Sequence, residues 1–333
     1  MVDYKQVLHY VSEISEKYRI SCDFKKSSAI HKINGDRPVD QQAALFYFLL
    51  NEINNSLHND GSSSLNYRDF RLSHDRFLKL WESLTGEDGT PSPSRLLSDM
   101  FWAELPWSDI NSQLDGINMV DIGCGKGGYS RKIIELSQGM VSSYRGFDVS
   151  GREEWASNTS WAKDRGVDVS FEVLNIDSNV TRFDQCVPQD TNFFMSQSCL
   201  EHLEDDLALF SAIKEFISRT DRKCMQVHLI PAPASLGLYL LHGYRQYGKN
   251  ALVKLADVFR DDGYSVDIYN LCGEMCKVVH RDFITNPIYL DRKGDYRDTL
   301  KQDYRMKLKQ AAFLDMQAPI EDPIFLAVVI KNF

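Results

Sequence analysis

The chain has 333 residues, enough for one large domain with additions or for two domains. Hydrophobic residues make up 43% and charged residues 26%, and a net charge of −9 leaves no overall basic field, so nucleic acid is not expected as a partner. No apolar run is long enough for a transmembrane segment, no secretory signal stands at Met1-Val-Asp-Tyr-Lys, and seven scattered cysteines fit a reducing compartment, so a cytoplasmic protein is expected.

The first hundred or so residues read as helical. Val7, Leu8, Val11 and Ile14 recur at helix spacing, as do Leu45, Phe48, Leu49 and Ile53. Ser73 caps a third segment carrying Phe77, Leu80 and Trp81, and Pro91 to Trp102 suggests a fourth. Loop signals separate them at Asn34 to Pro38, Asn59 to Ser64 and Glu87 to Pro91. No strand signal interrupts them, so residues 1–110 are expected to form a helical N-terminal cap and acceptor region.

From about Ile117 the pattern changes. Strands are expected at Asn118–Ile122, Ser143–Val149, Val167–Leu174, Asn192–Gln197, Lys223–Ile230, Tyr264–Asn270 and Ile324–Ile330. Helices fit between most of them, notably Leu203–Ser218 and Asn250–Asp262. Alternating strands and helices imply an α/β domain over residues 111–333, with a parallel sheet covered on both faces. Insertions at about 231–248 and 272–323 break the alternation, the second holding a polar helix around Asp295–Phe313. Cys272-x3-Cys276-x3-His280 has irregular spacing and no evident fourth ligand, so no metal is expected there.

Asp121-Ile-Gly-Cys-Gly-Lys-Gly-Gly128 joins the first of these strands to a helical run from Tyr129. A strand, a glycine-rich turn and a helix in that order make a nucleotide-type site, where backbone can approach a ligand closely and free helix N–H groups supply donors. Gly123, Gly125 and Gly128 also satisfy the looser Gly-x-Gly-x-x-Gly of dinucleotide sites. Asp121 points the other way, because a carboxylate there suits a cationic ligand better than a pyrophosphate. Asp148 ends the second strand, where it can accept from ribose hydroxyls in either kind of site. Phe171-Glu-Val-Leu-Asn175-Ile176-Asp177 ends the third, and Phe193-Phe-Met-Ser196-Gln197-Ser-Cys-Leu-Glu-His202-Leu ends the fourth.

The Asp121–Gly128 run resembles motif I of the class I S-adenosylmethionine-dependent methyltransferases, acidic-x-Gly-x-Gly-x-Gly. The segment from Phe193 to Leu203 is similar to the fourth-strand motif of small-molecule members, in which an apolar strand runs into Ser-x-x-Leu-Glu-His-Leu. Many members carry an Asp early in that strand, where this chain has Thr191-Asn192. The resemblance implies a Rossmann-like seven-stranded sheet, mostly parallel with the last strand antiparallel, and methyl transfer from S-adenosyl-L-methionine. It also implies a cofactor site from Asp121, Gly123, Cys124, Gly125 and Gly127 in the loop and Asp148 on the next strand. Asn175, Ile176 and Asp177 would face adenine, and Ser196 and Gln197 would complete the site.

A hydroxyl acceptor benefits from a base with a pKa near the working pH, and His202 and His228 stand at predicted strand ends as candidates. Tyr239, His242, Tyr244 and Arg245 interleave rings with polar groups, a mixture suited to sugars. That stretch is similar to segments of bacterial methyltransferases that modify surface-polysaccharide sugars. The expectation is O-methylation of a small polar or glycan acceptor, a sugar hydroxyl first. The alternatives are an NAD-dependent sugar-modifying enzyme and a methyltransferase-like binding protein without turnover.

Overall fold

A computed structural model describes residue 49 and residues 65–333, apart from 240–242, 261–262 and 292. The helical patterns expected at 7–14 and 45–53, Leu49 excepted, and the loops at 34–38 and 59–64 lie outside the described residues, as does His242.

The strands are β1 (Asn66–Asp69), β2 (Ile117–Ile122), β3 (Val141–Asp148), β4 (Asp168–Val173), β5 (Phe193–Gln197), β6 (Met225–Pro231), β7 (Ser265–Leu271) and β8 (Phe325–Lys331). They form one eight-stranded sheet in the order β1-β7-β8-β6-β5-β2-β3-β4. All neighbours are parallel except β8, which lies antiparallel between β6 and β7. The central strands are near-continuous apolar runs, with every residue of β5 and β6 buried, because helices cover both faces.

On one face lie α1 (His74–Thr85), α2 (Pro93–Glu104), α3 (Trp107–Leu114), α4 (Gly128–Leu136) and α5 (Glu154–Lys163). The other face is covered by α6 (Asp206–Thr220) and α7 (Lys249–Phe259), whose Phe210, Ile213, Leu252 and Phe259 pack on the sheet. Ser73 Oγ accepts from Arg76 N at 3.3 Å, so the expected cap of α1 is present. Ser92 caps α2 in the same way, with Pro93 at its first turn, where a missing N–H costs nothing.

The expected strands are present, within a few residues at each end, but the sheet has eight strands rather than seven. The additional one, β1, pairs with β7 inside the stretch expected to be helical throughout. Asn66-Tyr-Arg-Asp69 has no apolar alternation to announce a strand. Polar cross-strand pairs hold it instead: Arg68 with Asp267 at 3.2 Å, and Asn270 Nδ2 donating to Asp69 at 3.0 Å.

The insertion after β7 carries α8 (Glu274–His280), a wider π-helical stretch over Arg281–Leu290 and α9 (Lys301–Gln317). Asp315 on α9 accepts from the backbone N–H groups of Gly273, Met275 and Cys276 at 2.8–3.0 Å and so caps the start of α8. The same layer grips the loop between α1 and α2: Tyr304 O–H donates to Pro91 O, and Arg305 to Gly86 O and Gly89 O. No helix among the described residues is long and apolar enough to cross a membrane.

Candidate active site

The glycine turn sits at the carboxyl edge of β2, between β3 and β5, which is where open α/β sheets place ligands. Gly123 N and Cys124 N both donate to Phe147 O, at 2.8 and 2.9 Å, pinning the turn to β3. From α5, Trp155 Nε1 donates to Gly125 O at 2.8 Å and Asn158 Nδ2 to Lys126 O at 2.9 Å. Two glycines are required by space and by backbone. Gly123 has φ +73°, and a Cβ on it would lie 2.1 Å from Cys199 Sγ. Gly127 has φ +75°, and a Cβ there would lie 2.6 Å from the Phe171 ring. Helix α4 then opens at Gly128 with no side-chain cap, leaving its first N–H groups for another acceptor. Lys126 points to solvent and pairs with Glu154 at 2.8 Å.

A cavity of about 640 Å³ opens over this turn. Asp121 to Lys126 and Gly128 line its floor, Asp148, Val149 and Arg152 one side, and Leu174 and Ile176 give it an apolar wall. Gln197, Ser198, Cys199, His202 and Leu203 close the side of β5, and Arg95, Tyr129 and Lys132 reach it from α2 and α4.

Asp121 is buried, and Tyr144 O–H donates to its Oδ2, while Oδ1 is buried with no hydrogen-bond partner. Burial first, and the charge of Asp148 second, push its pKa up to about 7, against the opposing hydrogen bond from Tyr144. Asp148 Oδ2 accepts from Gly125 N at 2.8 Å, so the loop itself turns this carboxylate towards the cavity. Burial raises the Cys124 thiol, keeping it neutral. Gln197 is held by Trp102, whose Nε1 donates to its Oε1 at 3.2 Å, and its own Nε2 donates to Ser98 at 3.3 Å.

Several expected residues stand elsewhere. Asn175 caps the single helical turn Ile176–Asn179, accepting from Ser178 N at 3.3 Å, and its neighbours Leu174 and Ile176 line the wall instead. Asp177 follows in that turn. Ser196 is fully buried beneath the cavity and Gly127 lies just behind it. His228 does not line the cavity either. Its Nε2 faces Gln226 Oε1 at 3.3 Å, which only accepts, so Nε2 carries the proton and Nδ1 accepts from Ser196 Oγ at 2.9 Å. Phe210 packs edge-on against the ring, and burial depresses its pKa to about 3. The structure thus places His228 in the core as a hydrogen-bonded residue, away from the cavity lining where a catalytic base was expected. His202, half-buried on the turn after β5, does line the cavity.

Of the expected acceptor residues, Tyr239, Tyr244 and Arg245 are placed away from its lining. Tyr239 O–H lies 2.9 Å from Ser94 Oγ and packs on His280, and burial raises its pKa to about 12. Tyr244 N donates to Glu201 O. Arg245 donates to Leu203 O and Glu204 O at 2.7 and 2.6 Å and pairs with Asp206 at 3.1 Å, so it ties the turn after β5 to the segment after β6. The residues that sequence reasoning missed, Arg95, Tyr129 and Lys132, come with Asp99 from α2 and α4. Their available signal was polar Ser94, Arg95, Ser98 and Asp99 recurring along an otherwise apolar helix.

No protein-family model matches the chain, and no curated protein matches it. Among solved structures it is similar to coclaurine N-methyltransferase bound to N-methylheliamine and SAH, at 13% identity over 97% of this chain and 99% of that one, with a TM-score of 0.43. The plantazolicin methyltransferase BpumL, in complex with a monoazolic desmethylPZN analog and SAH, is 12% identical over 88% and 98% of the two chains, with a TM-score of 0.41. The N-methyltransferase NodS from Bradyrhizobium japonicum WM9, in complex with S-adenosyl-L-homocysteine, is 12% identical over 77% and 98%, with a TM-score of 0.40. Likeness at this level does not extend to activity or ligand.

Proposed function

We propose that the chain binds S-adenosyl-L-methionine in this cavity and is a methyltransferase acting on a small polar acceptor. Asp121 carries the reading. Its buried Oδ1 lacks a donor, and a ligand ammonium above the glycine turn would supply one. A dinucleotide pyrophosphate would instead meet a carboxylate, which disfavours the NAD alternative. Asp148 has lone pairs left over from the Gly125 N–H to accept from ribose hydroxyls, and Leu174 and Ile176 offer an apolar wall to a purine.

When bound, such a sulfonium supplies an electrophilic methyl group. The chain's own contribution is alignment and exclusion of water around the acceptor atom. His202 is the cavity histidine and would take the proton from a hydroxyl acceptor. A sugar hydroxyl remains the finer proposal, but its support now rests on His202, since Tyr239 and Arg245 are engaged elsewhere.

Calorimetry with S-adenosylmethionine and its demethylated product is the direct test, with Asp148→Ala expected to weaken either by roughly tenfold or more. Wild-type protein that binds neither nucleoside sinks the reading, and tight NADH binding in a fluorescence titration replaces it with the dinucleotide one. Binding without turnover on any acceptor favours the non-catalytic alternative.

A further inference from the structure

Helix α9 has its polarity reversed. Its charged side chains Lys301, Asp303, Arg305, Lys309 and Asp315 are buried or half-buried against the molecule, and each has a partner within the chain. The exposed positions are Gln302, Met306, Lys307, Gln310, Leu314 and Gln317, of which only Lys307 is charged. A solvated helix does the opposite, turning its charges outward. Gln302, Met306, Gln310 and Leu314 recur at intervals of four and so form one uncharged ridge along the helix. Met306 is 63% exposed and Leu314 42%. At its C-terminal end the ridge runs into a cavity of about 540 Å³, walled by Met275, Leu314, Ala318, Pro319 and Ile320. Met275 is itself 45% exposed. Interface cores are depleted in charge and rich in Met, and exposed apolar side chains gathered in one place mark an interaction surface.

Charge along this surface selects the partner. The basic end of α9 holds Lys301, Arg305, Lys307 and Lys309 against Asp303 alone. Its other end, with the cavity rim, holds Glu274, Asp315, Glu321 and Asp322 against Lys277. We propose that the ridge is the contact surface of a homodimer, with α9 of one copy packed antiparallel on α9 of a second about a twofold axis at Gln310. Antiparallel packing sets the basic end of each helix on the acidic end of its partner. Residues equally spaced from Gln310 then face one another, so Met306 of each copy meets Leu314 of the other at the mouth of the cavity. The unbranched thioether of Met306 suits an irregular apolar space. On the axis, the two Gln310 amides can each donate to and accept from the other. The dimer is independent of the ligand proposed above.

Sedimentation velocity of the full chain over roughly a hundredfold range of concentration reads the assembly directly. A concentration-dependent dimer is expected, weakening as salt is raised. Met306 is exposed, so Met306→Asp is expected to keep the fold, read as an unchanged circular dichroism spectrum. The same change is expected to weaken the dimer roughly tenfold or more, because it places carboxylates in the apolar contact. Glu321→Lys is expected to weaken it as well, by setting cation against cation. With oxidised glutathione as oxidant, Gln310→Cys is expected to join two copies through a disulfide at the axis, with wild type as the control for the native cysteines. Adding Met306→Asp to that variant is expected to suppress the bond. A chain that stays monomeric at every concentration overturns the proposal and leaves the ridge to a different protein. A dimer that survives Met306→Asp and does not cross-link through Gln310→Cys also overturns it, because its interface then lies on another face.

Discussion

At the residue scale, Asp121 couples the cavity to pH. An acid whose pKa rises from 3.8 in the unfolded chain to about 7 in the fold holds its proton more tightly when folded. Its contribution to stability is complete below about pH 4 and is lost as pH rises through 7, up to about 4 kcal/mol at 1.36 kcal/mol per unit. Asp121→Asn is therefore expected to gain on wild type across that window in denaturant unfolding. A difference that stays constant with pH contradicts this. At Gly123 the constraint is steric. Gly123→Ala places a methyl against Cys199 Sγ at positive φ, and a loss of about 1–3 kcal/mol in denaturation is expected, with partial recovery when Cys199→Gly is added. His228→Leu should lower stability by about 1–3 kcal/mol by leaving Ser196 unpaired, while a pH–rate profile keeps its shape.

At the element scale, α9 acts as a latch. Arg305 donates to two carbonyls of the α1–α2 loop and sits over Trp81 at 5.6 Å, so Arg305→Ala is expected to cost about 1–3 kcal/mol and to shift Trp81 emission on local opening. The elements of the sheet's interior were legible because β2, β5, β6 and β8 are apolar runs flanked by turn residues. The glycine turn and Asp148 were legible because their chemistry is local in the chain. β1 was not, since four polar residues become a strand only through Asp267 and Asn270, some 200 positions later. Nor was the spending of Arg245 on Leu203 and Glu204: its charge is visible in the sequence, its partners' carbonyls are not. Arg95 shows the same limit from the other side: its charge is visible in the sequence, its place on the cavity lining is not.

For the whole molecule, the boundary expected at 110/111 runs through shared core. Phe77, Leu96, Met100, Phe101 and Trp102 pack in the same cluster as Ile117 and Phe193, and β1 hydrogen-bonds to β7. A chain beginning at residue 111 is expected to lack a cooperative thermal transition, read by calorimetry; a cooperative transition there would show the segment to be dispensable. The position of β8 has a consequence in time. It follows every other described strand in the chain, yet it lies between β6 and β7, so until Phe325–Lys331 leaves the ribosome β7 and β1 have no strand pairing to the rest of the sheet. Synthesis from the N-terminus therefore yields β2 to β6 as a half-sheet with an open apolar edge at β6, waiting for Phe325–Lys331. During that interval the nascent chain is most exposed to mispairing and to chaperones, and β1 and β7 join the sheet only after β8 has found its place.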